Sequence, residues 1–497
     1  MAIVVRRLFW LLALAAAAAH AQASGERGTR ALDAHPDRQQ QGGQTRPART
    51  PSPQQWLREQ QDAARASEQL LDQAEHLHGL LPQYLFLRER YDSDSGRAFR
   101  AIFGQYFGWY QTFVGDYLGT ERSSSIAQPL QPDDAPSPLA APGVWRARPA
   151  PDSIARLAEG RRAVFFNENH NAPLTRTLTV QLLARLHAEG YDTFAAETLY
   201  HDDSAALMQR GYPVAASGFY TREPIYAYMV RQALALGYRV IAYEAESGVR
   251  GDAREREQAE NLYRRAFSGH PGARLVVNAG YAHIQKQGEY LGGRSMAEHF
   301  MRISSIDPLC VEQTMLYGRL DPADDHPYWS AVMQALAPAQ PIVFENAQGR
   351  PWSLRHQQYD LSVFFPPQHY VDGRPTWLAL GDMRRPYPVA AQEYCRNDMP
   401  CLLEARAMND SHAAVPFDRV LLTAQQPASA LWLPPGRYRL SVRDRDDALL
   451  RRFHIRVDRT APAAHATAAS PASSNCRSSA CSGNARAPSQ AKLSSSM

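Results

Sequence analysis

The fold of this chain is decided by the stretch AVFFNENH at residues 163–170, an apolar run that leads into Glu168 and His170. A second stretch, LVVNAGYAH at residues 275–283, repeats the pattern and ends in His283. Such apolar runs predict strands buried on both faces, as in a parallel sheet covered by helices. Because the carboxyl ends of parallel strands meet at one edge of the sheet, where ligands bind, we expect both histidines at a common site.

The chain around these stretches alternates strands and helices between Ile154 and Thr314. Two of the helices are followed by Gly190 and Gly237, as expected of helix C-caps. We predict an α/β fold: a mostly parallel sheet with helices on both faces, an N-terminal helical segment and a small C-terminal antiparallel β unit. The predicted strands cover residues 163–167, 193–197, 239–244, 275–280 and 309–313, the predicted helices 174–189, 223–236, 253–267 and 295–303, and further strands that extend or cap the sheet 342–344, 361–365 and 376–380.

The two ends of the chain differ from its middle in composition. Residues 1–23 combine arginines, an apolar core and small-residue cleavage options, which is the pattern of a secretory signal peptide. That core is too short for a membrane span of about 20 residues, so we expect a periplasmic or secreted protein without one. The predicted segments are the signal peptide at 1–23, a disordered linker at 24–52, a helical segment with a Pro-rich connection at 53–150, the α/β catalytic domain at 151–390, a small β domain at 391–458 and a disordered tail at 459–497.

Charge and cysteine usage bear on partners and compartment. The 54 basic and 50 acidic residues are spread evenly along the chain, which predicts no nucleic-acid partner and no anionic membrane. Cys395 and Cys401 flank a turn-like stretch that a disulfide could close after export, and Cys476 and Cys481 could pair in the same way. Cys310 is predicted to be a buried packing residue rather than a nucleophile.

Ionisable residues follow four of the predicted strands and should share the ligand-binding edge. They are Glu168 and His170 after the first strand, Glu197 at the second, Glu244 and Glu246 at the third, and His283 after the fourth. A buried carboxylate beside a histidine can activate water by taking its proton. Two histidines with carboxylates also suit a divalent transition metal, with His170 and His283 as ligands. The residues alone leave both chemistries open.

The helix predicted at residues 253–267 presents Arg256, Gln258 and Asn261 at spacings near half a turn and one turn. A solvated helix face explains these polar residues more simply than a site does. Asn261 is the one that could point toward the strand ends.

Three short motifs resemble those of a known superfamily. Asn-Glu-Asn-His at residues 167–170 and Gly-Tyr-Ala-His at 280–283, with Ala-Ala-Glu at 195–197 between them, are similar to motifs of the superfamily that joins erythromycin esterases, ChaN-like haem-binding proteins and Tiki-type proteases. The resemblance implies that Glu168, His170, Glu197 and His283 line an active site, with Glu168 or His170 as the base that activates water. It also implies that Arg176 contacts an oxyanion or a substrate carboxylate. Asn167 stands where the family pattern has Gly.

The favoured function is an exported hydrolase that activates water against an ester or amide in a small molecule or peptide. In this hypothesis Arg176, Glu244, Glu246 and Tyr281 bind substrate, and the Tyr281 hydroxyl can donate to a developing oxyanion. The alternative is a haem- or metal-binding envelope protein of the ChaN type without catalysis, so the candidate cofactors are haem and a divalent metal. A third hypothesis is an adhesion or envelope-interaction protein with a degenerate core.

Overall fold

The computed structural model describes residues 52–395 and 398–459. The predicted signal peptide, nearly all of the predicted linker and tail, and the pair Cys476 and Cys481 lie outside the described residues. Within the described part of the chain, no helix combines the length and the apolar character that a bilayer crossing requires.

Four helices form the N-terminal segment, as predicted. They are α1 (Pro53–Glu75), α2 (Leu80–Ser93), α3 (Arg97–Val114) and α4 (Tyr117–Ser124). Ser52 caps α1 by accepting a hydrogen bond from the Gln55 N–H, and Gly115 ends α3 in the left-handed conformation that glycine adopts at low cost. The aromatic residues of α3 recur at three- and four-residue spacing, and those from Phe103 to Phe113 are buried in the main core. This stripe is therefore packing material.

Six strands form the central sheet, and every pairing between neighbours in it is parallel. The spatial order is β4-β3-β5-β2-β6-β8. The strands are β2 (Ala163–Glu168), β3 (Thr193–Ala196), β4 (Arg239–Ile241), β5 (Leu275–Gly280), β6 (Leu309–Glu312) and β8 (Leu361–Ser362). The predicted α/β class is confirmed, and β5 lies between β3 and β2, which places the two motif-bearing strands side by side.

Helices cover both faces of this sheet, which explains why the strands carry apolar residues at consecutive positions. Val164 and Phe166 pack into the main core, whereas Phe165 packs into a second core on the opposite face. The helices are α6 (Leu174–Ala188) and α8 (Pro224–Leu236) on the first face, and α9 (Asp252–Phe267) and α10 (Met296–Ser304) on the second. Full burial of each such aliphatic or aromatic side chain contributes about 1.5–3 kcal/mol to folding.

The remaining elements of this region are short. They are β1 (Arg146–Pro149), α5 (Ala150–Ala158), α7 (Ser204–Arg210), α11 (Pro327–Leu336), β7 (Ile342–Glu345), β9 (Tyr370–Val371) and β10 (Arg374–Pro375), with 3-10 turns at His201–Asp203, Ala215–Ser217, Tyr220–Arg222, Tyr281–Ile284, Pro322–Asp324 and Thr376–Ala379. Of the further predicted strands, 361–365 supplies β8 at the sheet edge, whereas β7 pairs antiparallel with β1 instead. The strand predicted at 376–380 is wrong, because a short apolar run does not distinguish a strand from a helical turn.

An antiparallel β unit follows, also as predicted. It contains β11 (Arg385–Ala390), α12 (Ala391–Tyr394), β12 (Cys401–Ala407), β13 (Asp418–Leu422), β14 (Ala428–Leu433), β15 (Gly436–Arg443) and β16 (Leu449–Val457). Four strands form a sheet in the order β13-β12-β15-β16, and β11 pairs with β14. A disulfide joins Cys395 and Cys401 beside its core, while Cys310 is buried in β6 as a free thiol. The domain boundaries at residues 150 and 390 stay predictions.

Candidate active site

The central sheet brings the four principal site residues to one edge. Glu168 is the last residue of β2, and His170 lies two positions later. Glu197 directly follows β3, and His283 lies in the 3-10 turn that directly follows β5. Each of these side chains is at most 1% exposed. The sheet therefore brings the four residues together at the edge where the sequence places them.

The four residues and a fifth, Glu255, form a linear series of contacts. His170 Nδ1 lies 3.0 Å from Glu168 Oε1, and its Nε2 lies 3.7 Å from Glu197 Oε2. The other oxygen of Glu197 lies 3.4 Å from His283 Nε2, and His283 Nδ1 lies 2.7 Å from Glu255 Oε2. Glu197 therefore stands between two imidazoles, each of which is held from behind by its own carboxylate.

Arg176 fixes the first carboxylate. Its Nε donates to Glu168 Oε2 at 2.7 Å and its Nη2 to Glu168 Oε1 at 2.9 Å, while Nη1 reaches Glu223 at 2.9 Å. The Asn278 amide adds a hydrogen bond of 2.6 Å to Glu168 Oε2. Burial alone would raise the pKa of Glu168, but the Arg176 charge and the bonds from His170 and Arg176 outweigh it and lower the pKa to about 2. Arg176, predicted to contact substrate, is buried in this network.

Glu197 and His283 stabilise each other in their charged forms. Burial opposes the charge of Glu197, yet the facing imidazoles and Arg254 hold its pKa well below the ordinary value. Burial likewise opposes the imidazolium of His283, but Glu255 and then Glu197 raise its pKa to about 10. At neutral pH the site therefore contains a carboxylate next to an imidazolium.

Aromatic rings enclose the two imidazoles. Tyr220 stacks on His170 with 4.0 Å between ring centroids, and Tyr281 meets the same ring edge-on at 5.2 Å. Tyr290 packs edge-on against His283 at 5.1 Å. Tyr281 adopts a φ of 46°, a strained value for a bulky residue, and its hydroxyl donates to Asn169 at 2.9 Å. The strain is held in place by the surrounding contacts and marks this turn as a specialised position.

Gly280 permits the close approach of the two strand ends. Its N–H donates to Glu197 Oε2 at 2.5 Å. A Cβ atom at this position would lie 2.2 Å from His170 Nε2 and 2.9 Å from Glu197 Oε2, so no larger residue fits without displacing the cluster. The second motif therefore requires glycine at its first position for a steric reason.

Glu244, which follows β4, contacts the cluster through Arg254. Glu244 accepts two hydrogen bonds of 3.0 Å from Arg254, whose Nη2 also lies 3.5 Å from Glu197. Glu246, by contrast, has a half-exposed side chain and pairs with Arg265 at 3.1 Å. Both were predicted to bind substrate. Glu244 joins the buried network through Arg254, and Glu246 lies at the surface.

Helix α9 contributes residues that the sequence reasoning missed. Arg254 and Glu255 lie in its first turn, and Gln258 donates to Glu244 at 2.9 Å. Asn261, one turn further on, donates to the Glu244 carbonyl at 3.0 Å. The solvated-face interpretation therefore holds for the exposed Arg256 but is wrong for Gln258 and Asn261. Gln258 lies four residues after Arg254 and Asn261 lies seven residues after it, so one helix face carries all three, and this spacing was the available signal.

The site does not fit either candidate cofactor. Within the described residues, no group of three or more His, Cys, Asp or Glu side chains has the geometry to hold a metal ion. Haem would need an open axial nitrogen, but both imidazoles are 1% exposed and have carboxylates facing both ring nitrogens. What the arrangement can do is exchange protons, because Nε2 of each histidine faces an oxygen of Glu197, at 3.7 Å for His170 and 3.4 Å for His283.

Comparisons with known proteins place the chain near bacterial effector and toxin domains at low similarity. No protein-family model matches it, and no curated protein matches it. The type III effector HopBA1 is 14% identical with a TM-score of 0.29, over 46% of this chain and 99% of that one. A structure described as bacterial protein toxins is 14% identical with a TM-score of 0.27, over 51% and 45%. RRSP, a MARTX toxin effector domain from Vibrio vulnificus CMCP6, is 16% identical with a TM-score of 0.25, over 51% and 55%.

Proposed function

We propose that the protein is a hydrolase of ester or amide bonds in which His170 activates water. One observation carries the proposal. Nε2 of His170 and Nε2 of His283 face the two oxygens of the same buried carboxylate, Glu197, while each Nδ1 is held by a separate glutamate. A carboxylate at Nδ1 fixes the orientation and tautomer of an imidazole and leaves Nε2 to exchange a proton. The motif resemblance to erythromycin esterases and Tiki-type proteases supports the ester or amide substrate.

The proposed step begins when Nε2 of His170 accepts a proton from water as the water oxygen attacks the carbonyl carbon. Glu168 is a weaker candidate for this base, because a carboxyl group with a pKa of about 2 has little affinity for a proton. The His283 imidazolium keeps Glu197 in its carboxylate form, and Glu197 in turn stabilises the imidazolium that forms on His170. On collapse, His170 returns its proton to the departing alcohol or amine, so that the products are an acid and the leaving group.

Substrate would approach past Tyr281, since this residue contacts both the cluster and a surface cleft. The cleft is lined by Asn169, Asn171, Tyr317 and Arg319. The Tyr281 hydroxyl donates to Asn169 on the cleft wall, and its ring edge rests on His170.

The test compares full-length wild-type protein with Glu168→Gln, His170→Ala and Glu197→Gln on a panel of activated esters and peptide amides. Each variant should lose at least about 100-fold in turnover, the usual contribution of a general base. The exposed residues His356 and Glu260 provide matched controls, His356→Ala and Glu260→Gln, which should keep the wild-type rate.

The same preparations separate hydrolysis from the binding alternative. A haem absorption band or a stoichiometric metal, with no turnover on the panel, would favour a binding protein and refute the hydrolase. Turnover by His170→Ala at the control rate would also refute it. We further propose export, on the signal-peptide pattern of residues 1–23, and N-terminal sequencing of protein recovered from an expressing bacterium tests this.

A further inference from the structure

The outer face of the C-terminal four-stranded sheet is strongly basic. On β15 and β16 the side chains of Tyr438 and Ile455 point into the core, so the alternate residues point outward. The outward residues of these two strands pair across them as Arg437 with Arg456, Arg439 with His454, and Ser441 with Arg452. We call these six residues the basic face. Arg437, Arg452, His454 and Arg456 are exposed.

Few carboxylates balance this charge. The positions on this side of the sheet carry a single carboxylate, Glu404, and seven arginines: Arg406, Arg419, Arg437, Arg439, Arg443, Arg452 and Arg456. Glu404, Arg406 and Arg419 are buried, so the exposed part of this side is formed by β15 and β16. Glu404 is committed to three of them, at 2.9, 3.0 and 3.3 Å. Arg456 pairs with Asp458 at 2.8 Å, but among the described residues neither Arg437 nor Arg452 contacts a carboxylate. The basic face therefore keeps an excess of positive charge at the surface.

Two further observations agree with this. The exposed His412 lies beside the face, and the charges of Arg439 and neighbouring arginines lower its pKa. The chain that follows β16, residues 459–497, contains four basic residues and no Asp or Glu, so its side chains cannot neutralise the face.

We propose that the basic face binds an extended acidic polysaccharide. The outward side chains form two adjacent rows with a repeat of about 7 Å along each strand, and four of the six are arginines, which suits a linear polymer with anionic groups. Guanidinium groups bind carboxylate, sulfate or phosphate oxygens in a two-pronged geometry. The face carries no aromatic side chain to stack on nucleobases and no large apolar side chain to enter a bilayer. The proposal does not depend on the hydrolase function.

The experiment measures binding of the full-length protein to polygalacturonate and to heparin, one carboxylated and one sulfated, by calorimetry at several salt concentrations. Neutral dextran, a single-stranded oligonucleotide and vesicles of phosphatidylcholine with phosphatidylglycerol are the comparison ligands. The variant is Arg437→Gln/Arg452→Gln. A matched control with the same charge loss is Arg146→Gln/Arg148→Gln, which alters two exposed arginines on β1.

We expect binding to at least one acidic glycan that weakens as salt rises, is at least tenfold weaker in the double variant, and is within twofold of wild type in the control. Circular dichroism should show both variants folded, since all four positions are at the surface. Equal affinity of the variant and the control would overturn the proposal. Absent glycan binding, binding that dextran matches, or tighter binding to the oligonucleotide or the vesicles would overturn it as well.

Discussion

Replacing Glu255 with Gln should return His283 toward the titration behaviour of an ordinary histidine. Glu255 Oε2 lies 2.7 Å from His283 Nδ1 and is the strongest influence that raises the pKa of this imidazole. The same oxygen accepts the Met296 N–H at 2.9 Å, a bond that the Gln oxygen can still accept. The substitution therefore removes a charge from the site while it preserves a structural contact.

The size of the effect follows from the pKa of His283. An increase from 6.5 to about 10 corresponds to roughly 5 kcal/mol in favour of the protonated folded state. Because the folded pKa exceeds the unfolded one, this stability is fully present below pH 6.5 and is lost as pH rises to about 10. Removing one adjacent charge should lower the pKa by about 1–3 pH units. Glu255→Gln should accordingly flatten the loss of stability between these two pH values.

The assay is NMR of protein labelled with ¹⁵N at histidine, titrated from pH 5 to 11, together with urea unfolding at pH 6.5 and pH 10. Glu260→Gln, an exposed position on the same helix, is the control and should leave the His283 titration unchanged. If wild-type His283 titrates near 6.5, or if Glu255→Gln behaves like Glu260→Gln, the assigned electrostatics of the site are wrong.

Two further substitutions test the packing of the cluster. Gly280→Ala would place a methyl group 2.2 Å from His170 Nε2. We expect it to lose about 1–3 kcal/mol of stability in urea unfolding and to lose any hydrolysis in rate assays. Gly272→Ala is the control and should change neither quantity, because a Cβ atom there meets nothing within 4 Å. Arg176→Met would leave two buried carboxylates without their shared partner and should lower the free energy of unfolding by about 3–5 kcal/mol. Arg185→Met, at a half-exposed surface ion pair, should lower it by under about 1 kcal/mol in the same unfolding measurement.

The sheet could be predicted because a few consecutive residues are enough to identify each buried strand. A strand buried on both faces must be apolar at consecutive positions, and residues 163–166 and 275–277 meet that requirement. The residues of a strand do not by themselves determine which other strand it pairs with. The run at 342–344 has the same composition but pairs with β1, and residues 376–379 form a helical turn, because tertiary contacts decide between the options for a short apolar run.

The candidate site was predictable to the same extent. Residues at strand ends could be placed, because parallel strands share an edge regardless of how the helices dock. Arg254 and Glu255 could not, since the direction in which a helix presents its first turn depends on its packing against the sheet. The basic face could not be predicted from the sequence for a related reason. Its arginines alternate with apolar residues, so the charge is visible only after strand register gathers it on one side.

The same reasoning explains why two histidines that occupy matching places in two similar motifs need not be chemically equivalent. Glu168 and Glu223 share the guanidinium of Arg176, so two carboxylates face one positive charge behind His170. Around His283 three carboxylates share the single guanidinium of Arg254, and they are Glu197, Glu244 and Glu255. Glu197 faces both imidazoles, so the difference lies behind them. Arg176 pairs with Glu168 at 2.7 Å, whereas Arg254 lies 3.7 Å from Glu255, and the charge of Glu255 raises the pKa of His283. The carboxylate that α9 places behind His283, rather than either motif, thus determines that this imidazole carries a positive charge at neutral pH.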